Sequence, residues 1–193
     1  MKICSWNIEH FRFEKVVRVG TNNFDVFHQV VSEADISFFY EGKTEGTAAL
    51  LAAEMNKKIS VGDAVWVGMG FWSLNEYVGC IYNTSRISKV EEMSGYTAAI
   101  ASVSPGERLP PVIQIHTAKK GPPVTVAPWH CYGPAKQMTS LIFPKLTRKL
   151  FKVGVSLFFG DFNFEGRGKS ALSRTLKKMV SPNYKEPRAR TRL

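Results

Sequence analysis

The chain has 193 residues, a formal net charge of +10 and 44% hydrophobic residues, enough for one domain with a sizeable core. No apolar run approaches membrane-spanning length, and the opening Met-Lys-Ile-Cys-Ser-Trp-Asn is too polar for a secretory leader. Three scattered cysteines, without a Cys-x-x-Cys or Cys/His grouping, argue against a disulfide frame or a zinc site and read as reduced thiols of a cytoplasmic protein.

In chain order, Lys2–Ile8 reads as a first strand with Asn7 and Glu9 at its end. Phe24, Phe27, Val30 and Val31 recur at helical spacing, so a helix is predicted over about 23–33, with Asn23 as its cap. Ile36–Tyr40 is a second buried strand, with Glu41 standing before Gly42. Residues Thr47 to about Lys58 are Ala- and Leu-rich and helical, with Thr47 as cap. Short runs rich in Val, Ile, Tyr and Trp then alternate with Gly, Asn, Ser and Pro breaks. They predict antiparallel strands at 64–68, 77–83, 87–91, 96–103, 111–117 and 124–129. A helical pattern returns from Pro134 to about Phe151, with Pro144 expected to kink or divide it. The apolar run 153–159 reads as a strand buried on both faces. It ends in Gly160-Asp161-Phe162-Asn163, where i and i+2 point the same way and project a carboxylate and an amide together. A basic helix covers about 169–180, and 181–193 is an irregular basic tail. From Arg167 onward nine basic residues face only Glu186, a distribution that attracts polyanions, nucleic acid first among them.

The order of elements implies an α/β protein, with two sheets packed face to face and helices outside. Four strand ends carry polar residues after apolar runs: Asn7, Glu41, His130 and the Asp161/Asn163 pair. Each has an ordinary explanation, since strands end where loops meet water. Together they supply what metal-assisted phosphodiester cleavage needs. Glu41 and Asn7 offer oxygen ligands to a hard cation. Asp161 can orient or deprotonate a water, and Asn163 and Asn7 can donate to a phosphate. His130 suits a proton donor or charge stabiliser at neutral pH.

These residues resemble, in order, the motifs of the endonuclease/exonuclease/phosphatase superfamily, which includes pancreatic deoxyribonuclease. Trp6-Asn7-Ile8 is similar to the first-strand Asn motif. Tyr40-Glu41 falls where the family has Gln-Glu, which implies a metal-binding Glu41. Glu76-Tyr77 resembles the strand whose glutamate orients the first histidine, and Trp129-His130 falls at that histidine. Arg108-Leu109-Pro110-Pro111 resembles an Arg-x-Pro stretch whose Arg meets a phosphate. Gly160-Asp161-Phe162-Asn163 is the family's most recognisable signature. The resemblance covers nearly the whole chain, with residues 1–180 as the domain. It implies a four-layer sandwich with two mixed sheets, and a phosphoesterase using Mg²⁺ or Mn²⁺, most naturally a nuclease for DNA or RNA.

The family's closing Asp and Ser-Asp-His segment does not occur before Leu193, so the last strands are expected to be missing. A truncated product, a partner covering the exposed sheet edge, or a decayed ancestor would each account for this. Losing half of a two-histidine site would cost about three or more powers of ten in rate. A catalytically impaired nucleic-acid-binding module and a phosphatase for inositol phosphates or lipids are therefore the alternatives. Of the remaining histidines, His28 and His116 read as packing or surface residues, while His10 is a further candidate for the rim. A thiol hydrolase using His130 and Cys131 is disfavoured, because neighbours on a strand point to opposite faces. Trp66, Phe71 and Trp72 are read as packing residues in preference to base-stacking ones.

Overall fold

The computed structural model describes residues 1–60, 63–73, 76–101, 109–130 and 138–161. In the first sheet, β1 (Ile3–Asn7) runs parallel to β2 (Ile36–Gly42). The hairpin of β3 (Trp66–Ser73) and β4 (Glu76–Asn83) then joins β2 through β4, giving the order β1-β2-β4-β3. The second sheet holds β5 (Ile87–Glu92), β6 (Ile113–Thr117), β7 (Val124–His130) and β8 (Leu157–Asp161) in sequence order. Its first three strands are antiparallel, and β8 runs parallel to β7. The helices are α1 (Phe13–Val16), α2 (Asn23–Ser32), α3 (Thr47–Asn56), α4 (Ser94–Ala101) and α5 (Met138–Lys152).

The strand period of two explains the layers. Ile36, Phe38 and Tyr40 of β2 face Val90, Ile115 and Val126 across the gap between the sheets. Phe39 of β2 and Ile81 of β4 point the other way, under Phe27, Val31, Leu51 and Met55 of the helices. Ala127 and Trp129 of β7 pack outward against Leu146 and Leu150 of α5. Sheet on sheet, with helices outside both, is the four-layer α/β sandwich expected from the element order.

Several expectations change. Residues 94–101 form helix α4 where a strand was expected over 96–103. Helix α5 continues through Pro144, which removes one backbone donor but does not divide the helix; a kink there stays an expectation. The strand expected over 153–159 starts only at Leu157. Gly154, at φ +85°, turns the chain out of α5 first, and the amides of Val153 and Val155 close onto the Leu150 carbonyl. Nor is β8 buried on both faces. It is the end strand of its sheet among the described residues, and Leu157 is 43% exposed. The caps shift by one residue: Asn22 and Gly46 occupy the cap positions. Asn23 instead ties α2 to α1 by donating to the Lys15 carbonyl at 3.2 Å, and Thr47 pairs its hydroxyl with that of Thr44 at 2.8 Å. The predicted helix 169–180 and the tail 181–193 lie outside the described residues.

Candidate active site

The two parallel strand pairs bring four strand ends to one rim of the sandwich. Asn7 ends β1, Glu41 lies near the end of β2, and His130 and Asp161 are register partners at the ends of β7 and β8. Alternation carries the inward direction from the core to the site. Ile3 faces the gap between the sheets and so does Asn7; Val126 faces it and so does His130; Val78 faces it and so does Glu76.

Glu41 breaks that rule. Next to the inward Tyr40, it should point outward beneath the helices. The register of β2 on β4 jumps from Phe39↔Gly79 to Gly42↔Tyr77, so Tyr40 and Glu41 together oppose Val78 alone. This is a β-bulge, and Glu41 sits in it at φ +62°. The bulge turns the carboxylate to the rim, where its Oε1 lies 3.5 Å from the Asn7 amide and 3.7 Å from His130 Nε2. Gly42 makes the bulge possible, because a Cβ there would lie 2.7 Å from the Tyr77 carbonyl oxygen. Burial opposes ionisation of Glu41, but the His10 backbone N–H at 3.1 Å, the neighbouring His130 and the Asn7 amide outweigh it. Its carboxyl is held below the usual carboxylate range.

His130 is 4% exposed and Glu76 2%. The His130 Nδ1 lies 2.8 and 3.1 Å from the two Glu76 oxygens. A carboxylate can only accept there, so Nδ1 carries the proton and Nε2 is turned toward Glu41. The fully buried Tyr40 ring stands behind the imidazole at 5.8 Å, its hydroxyl paired with Ser5 Oγ at 3.0 Å. Asn7 donates to Asp161 Oδ2 at 2.8 Å, joining the two sheets across the rim. Its other end is unsatisfied: Asn7 Oδ1 is buried and has no hydrogen-bond partner.

Asn7 thus keeps an unpartnered buried carbonyl while its nitrogen meets the carboxylates; amide and carboxylate oxygens are the donors that a hard divalent cation takes. Among the described residues no three His, Cys, Asp or Glu side chains converge as a metal cage. Glu41 and Asn7 are the residues of this rim whose oxygens could hold such a cation.

The fold thus brings Asn7, Glu41, Glu76, His130 and Asp161 to one rim. Asn163, Arg108 and Cys131 lie outside the described residues. His10 joins the rim through its amide on Glu41, with its ring 60% exposed and Nδ1 3.8 Å from the same carboxylate. His28 sits on α2 against Phe24, and His116 pairs with Glu91 at 2.9 Å, both away from the site. Burial pushes the Cys4 and Cys80 thiols up, which makes them poor nucleophiles. Trp66 and Phe71 are core residues, whereas Trp72 is 54% exposed and packs edge-on against Tyr77. Sequence reasoning missed the bulge and the backing Tyr40. Gly42 was the one local signal for the bulge.

No protein-family model matches the chain, and no curated protein matches it. Among solved structures, the chain is similar to a functionally unknown conserved protein from Enterococcus faecalis V583. The identity is 14% and the TM-score 0.50, over 92% of this chain and 72% of that one. It is also similar to a humanized D. rerio TDP2 carrying 14 mutations, at 12% identity and TM-score 0.47, over 93% of this chain and 70% of that one. For C. elegans TDP2 the identity is 12% and the TM-score 0.47, over 88% of this chain and 49% of that one. At these identities the likeness is one of fold.

Proposed function

We propose that the chain is a divalent-metal-dependent phosphodiesterase of the endonuclease/exonuclease/phosphatase type, acting on DNA or RNA. The observation that carries this reading is one rim where the Asn7 amide nitrogen faces Glu41 and Asp161, its buried Oδ1 is left without a partner, and Glu76 holds a histidine. Glu41 and Asn7 would hold the cation, which when bound polarises a phosphate oxygen. Glu76 keeps the His130 proton on Nδ1, so that Nε2 can take up or give a proton at the reacting phosphate. Asp161 orients the attacking water. Asn163 and Arg108 are the proposed phosphate donors. The net charge of +10 favours a polyanionic substrate over a small neutral one.

A second reading has its own observation. His130 is only 4% exposed, which suits a nucleic-acid-binding module with impaired catalysis. Plasmid nicking with Mg²⁺, and with EDTA as control, separates the two. The enzyme reading expects metal-dependent nicks that fall about 10³-fold or more in His130→Ala. Salt-sensitive binding without metal-dependent cleavage supports the module.

A further inference from the structure

Beside the rim, the segment after β1 opens into two adjoining hollows. The larger, about 740 Å³, is lined by His10, Arg12, Lys15 and Arg18, with Glu14 as its one acid. The Lys15 ammonium is tied to the Glu9 carbonyl. Arg12 and Arg18 are exposed and make no ion pair with a described residue. The smaller hollow, about 230 Å³, is apolar. The half-buried Trp6 and Ile8 and the 45% exposed Val26 line it, over the buried Phe27. Lys15 and Asn23 line both hollows, so the two are contiguous.

The cationic half starts at the cleavage rim. His10 lines it while its backbone N–H holds Glu41. A strand whose scissile phosphate sits at Glu41 must continue somewhere, and a small phosphoester has nothing to put in this groove. We infer that the groove is a nucleotide subsite: Arg12 and Arg18 take a backbone phosphate flanking the cleaved bond, and the apolar half takes the adjoining base. A cationic track with apolar and aromatic surface at its side is how proteins hold single strands without reading sequence. This rests on the proposed nuclease reading and narrows it to a polymer substrate engaged beyond the bond that is cut.

The test is equilibrium binding of a single-stranded oligodeoxynucleotide to the full chain in EDTA, so that no cleavage intervenes. The double variant Arg12→Ala/Arg18→Ala should flatten the slope of log affinity against log salt by about 0.7, the share of one phosphate on a single strand. Lys119→Ala/Lys120→Ala removes equal charge from exposed positions in the β6–β7 turn, at the opposite end of β7 from His130, and should leave the slope nearly unchanged. Val26→Gln, at an exposed position, should weaken binding of the ordinary oligonucleotide about tenfold, the order of one base contact. It should have little effect on an abasic backbone of equal length. Equal slopes for the two double variants would overturn the phosphate half. Equal losses on normal and abasic strands would overturn the base half. Failure of the wild type to nick plasmid would instead count against the enzyme reading, because these titrations do not depend on cleavage.

Discussion

The two ends of the parallel β1–β2 pair obey opposite rules. At the start of β2, Asp35 accepts the Lys2 backbone N–H at 2.7 Å and the Arg86 guanidinium at 2.8 Å. Burial works against its charge, but those donors prevail and hold its carboxyl below the usual range. Six residues on, Glu41 occupies a left-handed backbone conformation and Asn7 keeps a buried carbonyl without a partner. Near the first end the buried Ser37 Oγ also lacks a partner, but only the second end adds positive φ at non-glycine residues, His10 and Glu41. Unsatisfied groups and positive φ at non-glycine residues collect where a protein binds or reacts. The backbone difference supports the proposed site at the Glu41 end, and substitutions at the two ends should change different observables.

The largest effect is expected at Glu76. Glu76→Gln keeps an acceptor for His130 Nδ1 but removes the charge that fixes the imidazole. It should lower kcat/KM for plasmid cleavage by about 10²–10⁴-fold, mostly in kcat. A change confined to KM would mean that Glu76 serves substrate binding. Next comes Gly42→Ala. A methyl pressed on the Tyr77 carbonyl should cost about 1–3 kcal/mol in urea unfolding and also reduce cleavage, because the bulge that aims Glu41 relaxes. Unchanged stability would show that the bulge tolerates a side chain. The smallest effect belongs to the Asp35 end. Asp35→Asn should cost about 1 kcal/mol at neutral pH with cleavage intact. Since the folded pKa of Asp35 is depressed from 3.8, its contribution is fully present above that value and fades as the pH falls below it. Wild type and variant should then converge in stability under acid, and a gap persisting there would mean that the carboxylate charge is not what stabilises this end.

The sandwich was legible because its core strands alternate so regularly. Ile36, Phe38 and Tyr40 against Phe39 already state which face meets the other sheet. Segment 94–101 was misread because Tyr96, Thr97 and Ile100 favour strands while Ala98, Ala99 and Ala101 favour helix, and those propensities differ by only tenths of a kcal/mol. The run 153–159 was misread because apolar length does not tell an inner strand from an end one. Within the site, the residue types and the rim were visible from strand ends in order. The route by which Glu41 reaches the rim was not, since simple alternation sends it to the wrong face and nothing in Glu itself announces a bulge.

The pairing of Asn7 with Glu41 as a cation site is the claim on which the rest depends. Mn²⁺ titration followed by water-proton relaxation tests it without any substrate. One Mn²⁺ should bind the wild-type chain, with affinity reduced about tenfold or more in Glu41→Gln, which loses the anionic charge, and in Asn7→Leu, which loses the amide oxygen. Equal Mn²⁺ binding by wild type and both variants would contradict the account.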